Sequence, residues 1–498
     1  MDQVHRPIFR LPNELLIKVF RELEDDEASK DNGGPDIKIC RLVCRRFCDL
    51  SSHLLLRSVQ VGHTFASVAR LDAITRHPLI SRGISTIEVV LSSYHSFFST
   101  DPEGAGKQAF IEFQLKELTQ RVQLFEVGKF RNISKTDAVI LRKAHEVLSC
   151  WRYLMRESFP VPQQPPRGDL DLHRALVNNA YNEFQRLIEE QQSLVEQGGV
   201  GEAVASALAR MPWVHRLEFD DTRQYGFPRR GLSRATSDTV FDGIYQNTLL
   251  PLIRRSDIDV MTTRQYPILS EIVPRVLAAV GGSGITQLKS VQANVEFIQF
   301  DEDVSDIHKR IVTATKQLTD FSISQDANFS FSSSGVEIFL ELCLQSPALR
   351  TCSISLPAGE FGIRPFLAGT TRKDLTVIEL DGAEIRLSDL KIFLRIIPDV
   401  LDRLELTNIV LVGGTWREAL DMLREKTYRD SKTSPYHYPV RIYSPLNHYS
   451  QHLPSVKKFA SIFESDGTWD ISHADAYVMR HAQVNPFERL VLVGDSGN

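Results

Sequence analysis

LTVIEL, Leu375 to Leu380, places apolar residues at its first, fourth and sixth positions, with polar residues filling most of the gaps. Side chains alternate across a strand, so the fourth and sixth residues share one face, and the leading leucine enters the same core. The pattern recurs as VHRLEF from Val214, LKSVQA from Leu288, LTDFSI from Leu318, LRTCSI from Leu349 and LDRLEL from Leu401. The last five copies begin 30, 31, 26 and 26 residues apart, a regularity that marks a repeat. Helical periodicity fills the intervals at 306–317, 334–345, 387–397 and 415–426. ISTIEV, from Ile84, supplies a further copy, but the interval from it to Val214 is far too long for one unit.

A strand with three apolar anchors followed by a helix, repeated in this way, resembles a leucine-rich repeat, in which each unit buries its inner face only by stacking on its neighbours. The asparagine or cysteine that the family carries about three residues after the third anchor is missing; Glu296, Asp326, Pro357, Ala383 and Ile409 stand there. The resemblance therefore implies an irregular solenoid without the usual side-chain ladder. Strand positions facing away from the anchors would form its concave face: Arg216, Glu218, Asp220, Gln292, Ser322, Ser353, Glu379, Arg403, Glu405 and Thr407. These are the candidate substrate contacts, although polarity is also what solvent demands of such positions.

The long interval reads as helical at 110–124, 137–156 and 170–197, broken by the Pro-rich FPVPQQPPRGD. It is either an inserted helical subdomain, about 95–208, or a set of long helices on the convex side. The aromatic residues of CWRYLMRESF, at helical spacing, read as core. The aromatic and His-bearing stretch beyond Thr427 is a recognition loop or a capping segment.

At the amino terminus, LPNELLIKVFREL (Leu11–Leu23) carries Leu15, Leu16, Val19, Phe20 and Leu23 at three- and four-residue steps, the stripe of a short amphipathic helix. Pro12 suits its first turn. A polar, glycine-bearing loop follows. Asp36 then reads as the N-cap of a second helix, DIKICRLVCRRFCDL, whose helical phase puts Cys40, Cys44 and Cys48 on one face beside Val43 and Phe47. Free cysteine behaves as a small apolar side chain, and no second Cys or His cluster follows at zinc spacing, so the three read as core. Two short helices hide too small a fraction of their chain to be comfortable alone and want a partner.

Leu11-Pro12, Glu14-Leu15-Leu16, Val19-Phe20, Leu23, Ile39, the run Leu42-Val43-Cys44-Arg45-Arg46-Phe47, Leu50 and the following LLLRSV resemble an F-box, of the fungal type, over about residues 1–60. The loop between the helices is longer and more acidic than in the family, and Phe47 stands where many members carry Trp. The resemblance implies docking on a Skp-family adaptor, and through it on cullin and RING subunits, by Leu11, Pro12, Leu15, Leu16, Val43, Cys44 and Phe47. It also implies that residues 61–498 select a protein substrate for an SCF-type E3 ubiquitin ligase. A scaffold or interaction repeat protein independent of ubiquitin ligases is the rival reading.

The two resemblances together imply an α/β protein, a short all-α F-box followed by the irregular solenoid, without an active site of its own; composition is ordinary for a globular chain. The 498 residues are 42% hydrophobic and 24% charged with net charge -5, and no Lys/Arg run marks a nucleic-acid or anionic-membrane footprint. HExxH, GxSxG and a phosphate-binding loop ending in Gly-Lys-Ser/Thr are missing, as are paired Cys-x-x-Cys motifs. GGVGEA and GGSGIT lack the lysine that would hold phosphate and read as linkers or helix caps. Six cysteines and fourteen scattered histidines give neither a disulfide scaffold nor a metal site, and no cofactor is expected. The expected setting is intracellular, cytoplasmic or nuclear, without a membrane span.

Overall fold

A computed structural model describes residues 7–25, 35–91, 145–154, 170–220, 271–295, 305–325, 335–359, 361–367, 374–398, 401–426, 440–443, 446–447, 462–463, 472–479 and 482–487, and the single positions 107, 111, 112, 115, 119 and 300. It is a mixed α/β structure with a short helical unit at the amino terminus.

That unit contains α1 (Asn13–Asp25), α2 (Pro35–Val43) and α3 (Arg45–Ser51). Leu16, Phe20, Ile37, Phe47 and Leu54 form its own closed core, with the Phe20 and Phe47 rings edge to face at 5.2 Å. One continuous helix over 36–50 is not what forms. Cys44 is extended (φ -164°, ψ 166°) and separates α2 from α3, so Cys40, Cys44 and Cys48 do not share one helix face. The physical reason lies in the core: on an unbroken helix at 3.6 residues per turn, Phe47 would sit roughly 80° out of phase with Ile37, whereas the break brings both inside. All three thiols are half-buried, and Cys40 and Cys44 pack against that core. Asp36 lies in the first turn of α2 instead of capping it.

The body begins with β1 (Ser58–Val61), α4 (Phe65–Arg76) and β2 (Thr86–Val90). Then come α5 (Leu170–Glu196), α6 (Gly199–Arg210) and β3 (Arg216–Asp220). After α7 (Ile272–Gly282) follow β4 (Ser290–Val295), α8 (Ser305–Thr315), β5 (Asp320–Gln325), α9 (Val336–Cys343) and β6 (Thr351–Ser355). The next unit holds β7 (Phe361–Gly362), α10 (Arg364–Leu367), β8 (Val377–Asp381), β9 (Ala383–Arg386) and α11 (Leu387–Ile396). The last elements are β10 (Arg403–Thr407), β11 (Val410–Val412), α12 (Trp416–Lys426), β12 (Val440–Tyr443), β13 (Leu446–Asn447) and α13 (His473–Val478).

Among the described residues nine strands form one parallel sheet in the order β1-β2-β3-β4-β5-β6-β8-β10-β12, so neighbours in the sheet follow chain order. Every apolar-pattern copy is a strand of this sheet, including ISTIEV as β2. Anchors stack: Ile87, Leu217, Val291, Phe321, Cys352, Ile378 and Leu404 pair in register and are all buried. Val204 and Leu208 of α6, Leu277 of α7, Ile311 of α8, Phe339 of α9, Phe393 of α11 and Leu420 of α12 join them in one core. Burying alternate residues on one face is what a sheet packed against helices requires. β2 and β3 are adjacent in the sheet although the long helical interval separates them in the chain. In that interval residues 145–154 and α5 are helical, and Trp151, Tyr181 and Phe184 are buried. The Pro-rich break and the segment 427–439 lie outside the described residues.

A second parallel sheet, β13-β11-β9-β7, accompanies the first. Between the two sheets the chain turns a corner where Gly382 (φ 83°) and Asn408 (φ 49°) take left-handed backbone. The Leu356 carbonyl occupies the place of a Cβ on Gly382, so the corner admits only glycine there. A side-chain ladder does exist at these corners. It is displaced from the position the leucine-rich-repeat pattern predicts: Ser355 and Asn408 both donate to Asp381, each at 2.8 Å, and Ser324 donates to Asn294 at 2.7 Å. Backbone bonds from Leu356, Gly382 and Asn408 to the next unit complete the corners.

Candidate docking and recognition surfaces

Two surfaces emerge. The first is on the helical unit. Among the described residues ten large hydrophobic side chains are exposed, and six of them, Ile8, Leu15, Val19, Ile39, Leu42 and Val43, fall before residue 44. Leu42 is 85% exposed, Ile39 60% and Val43 51%, while the core beneath them is already closed. Exposed apolar side chains gathered on a small folded unit in this way mark an interaction site. Burying a side chain such as Leu42 against a partner is worth about 1.5–3 kcal/mol.

Of the residues that the sequence singles out for docking, Pro12, Leu15 and Val43 are exposed, and Leu11 and Cys44 are half-buried. Leu16 and Phe47 lie inside the core and support the surface from below. Ile8, Val19, Ile39 and Leu42 complete it; the exposed face of each helix shows in the sequence only once the break at Cys44 is known. Arg46 ties the two sides together. Its Nε and Nη2 donate to Asn13 Oδ1 at 3.0 and 2.7 Å, and Nη2 donates to the Leu11 carbonyl at 2.6 Å.

The second surface is the open face of the nine-stranded sheet. Register places Glu218, Gln292, Ser322, Ser353, Glu379 and Glu405 in one row, continued by Arg441. Arg216, Asp220, Arg403 and Thr407 flank that row on the same strands, so the ten proposed substrate contacts share one face. All are half-exposed or exposed except Asp220, which is buried. Arg216 pairs with Glu218 at 2.7 Å and donates to Gln292 at 2.9 Å; Arg403 pairs with Glu379 at 2.9 Å and Arg441 with Glu405 at 3.8 Å. Exposed pairs of this type contribute about 0–1 kcal/mol each, so they order the face more than they stabilise the fold. The same face includes Gln60 and the buried Glu88, 3.3 Å apart, together with Arg441 and Tyr443. β12 has its signal in the alternation of Val440 and Ile442, hidden in the sequence because its interval from β10 is longer than the 26 to 31 residues of the regular copies.

No group of three His, Cys, Asp or Glu side chains that could hold a metal ion occurs among the described residues. Nor, among them, is any helix long and apolar enough to cross a membrane.

Comparison with curated proteins and with solved structures gives no match to this chain. Comparison with family models gives one over residues 8–60: the amino-terminal unit matches the F-box-like family.

Proposed function

We propose that this chain is a substrate-recognition subunit of an SCF-type (cullin–RING) E3 ubiquitin ligase. The F-box-like unit docks on a Skp-family adaptor, which links it to the cullin and RING subunits, and the body behind it holds a protein substrate. The observation that carries this reading is the apolar surface of Leu15, Val19, Ile39, Leu42 and Val43 on a unit whose core is complete without them. It coincides with the F-box-like match. In this reading the chain has no catalytic step of its own. Holding a substrate near a ubiquitin-loaded enzyme raises the effective concentration of its lysines, and rate follows from proximity.

The body is read here as a degenerate leucine-rich-repeat array. Its in-order parallel sheet and the corner ladder through Asp381 support that reading. The open sheet face, with Glu218, Gln292, Ser322, Ser353, Glu379 and Glu405 in register, is the proposed substrate surface.

Co-expression with a Skp adaptor tests the docking half. The unsubstituted chain is expected to co-purify with the adaptor. Leu15→Asp is expected to release it while the body stays folded. Equal retention of adaptor by both proteins contradicts the proposal and favours a scaffold that works without the ligase.

A further inference from the structure

Arg46 lies in the first turn of α3, yet its guanidinium reaches back to the turn that precedes α1. The Leu11 carbonyl it binds lies outside the helical ladder, which starts one residue later where Leu16 N–H donates to the Pro12 carbonyl at 3.1 Å. The turn before it closes through the Leu11 N–H, which donates to the Ile8 carbonyl at 3.3 Å, and that leaves the Leu11 carbonyl open to a side-chain donor. Arg46 supplies that donor through a rigid fork that meets Leu11 and Asn13 together. The two ends of this contact carry the two halves of the apolar surface. Pro12 and Leu15 stand beside its acceptors, and Val43 and Cys44 stand just before its donor.

We propose that Arg46 is the positioning residue of the docking surface: it fixes the Leu11–Pro12–Asn13 turn against the α2–α3 break, so both apolar halves meet one partner surface without rearrangement. This inference rests on the Skp-docking reading. Orientation set before binding spares the complex an ordering cost that would otherwise be subtracted from affinity. These two acceptors, an exposed amide oxygen and a half-buried carbonyl, are both neutral, so neither is left as an unpaired charge when the guanidinium is removed. Its loss is therefore expected in affinity more than in folding. Lysine keeps the charge but not the fork and is expected to restore only part of the affinity.

The test uses the full chain with Arg46→Met, Arg46→Lys, Asn13→Ala and the double variant Arg46→Met with Asn13→Ala. Affinity for the purified Skp adaptor and the thermal midpoint are measured for each. Arg46→Met is expected to weaken adaptor binding about tenfold, as loss of charge-assisted hydrogen bonds implies, with the midpoint kept. Asn13→Ala is expected to weaken it less, and the double variant no more than Arg46→Met alone, because both remove one contact. Unchanged affinity in Arg46→Met overturns the inference, as does strict additivity, or an affinity loss that merely follows a fallen midpoint. If Arg46→Met does not fold, the surface change Asn13→Ala carries the same decision. Failure of the unsubstituted chain to bind adaptor overturns the docking reading itself, and this inference with it.

Discussion

The side-chain amide of Asn408 donates to Asp381 across 2.8 Å, joining the corner after β10 to the end of β8. Ser355 holds the other oxygen of that carboxylate from β6, so one acid ties three consecutive units. Asp381→Ala strands two donors at half-buried corners. It is expected to lower the stability of the body by about 1–3 kcal/mol. Asn408→Ala removes one bond and also forces alanine into left-handed backbone, which adds about 1–2 kcal/mol. Denaturant titration of each variant checks both, and a pair of variants as stable as the parent would remove the ladder from the account.

The His53 carbonyl occupies the space that a Cβ on Gly83 would take, so the amino-terminal unit meets the body through a contact only glycine permits. Gly83→Ala is expected to loosen that junction, lowering the thermal midpoint while leaving the docking helices able to bind adaptor. Faster proteolysis between residues 50 and 85 in the variant would report the same event. An alanine variant that melts and digests like the parent would contradict it.

His63, just after β1, is buried, and among the described residues neither ring nitrogen has a hydrogen-bond partner. Burial lowers its pKa from 6.5 to about 4. The unfolded chain therefore binds a proton between these values that the folded chain refuses, so stability rises with pH across that window and is lost as pH falls below 6.5. From about pH 7.5 to about pH 5.5 the loss from this residue is about 1 kcal/mol. His63→Leu is expected to flatten that part of the profile. An unaltered slope in the variant would assign the pH dependence elsewhere.

Leu16 and Leu42 separate folding from docking within one unit, since the first is wholly buried and the second is 85% exposed. Leu16→Ala is expected to cost about 2–5 kcal/mol of stability, the usual range for a leucine removed from a core. Leu42→Ser is expected to leave the midpoint unchanged and reduce adaptor binding. Thermal melts paired with adaptor binding check the contrast, and a reversed pattern would mean that the surface and the core have been confused.

Legibility in the sequence follows the length and regularity of each pattern. The strands β2, β3, β4, β5, β6, β8 and β10 are readable because their anchors sit at fixed offsets and fall on one face, as the register shows where Ile378 lies between Cys352 and Leu404. The helices α5, α8, α11 and α12 are legible to within a few residues for the same reason. The short strands β7, β9, β11 and β13 are not, since two to four residues after a turn carry no measurable alternation. β1 falls inside the segment that reads as F-box, and its four residues carry no separate signal. The break at Cys44 is hidden because it depends on packing between Ile37 and Phe47, not on any helix-breaking residue. The residues proposed for docking lie around the start of α1 and the α2–α3 break, and which of them face out can be seen only with that break in hand.

The most direct measurement is a titration of purified Skp adaptor into the full chain and into a Leu15→Asp, Val43→Asp variant whose thermal midpoint matches the parent. Saturable binding by the parent, weakened at least tenfold in the variant, is the predicted result, since two exposed apolar contacts of about 1.5–3 kcal/mol each are removed. Equal binding by the two proteins, or none by the parent, would contradict the account.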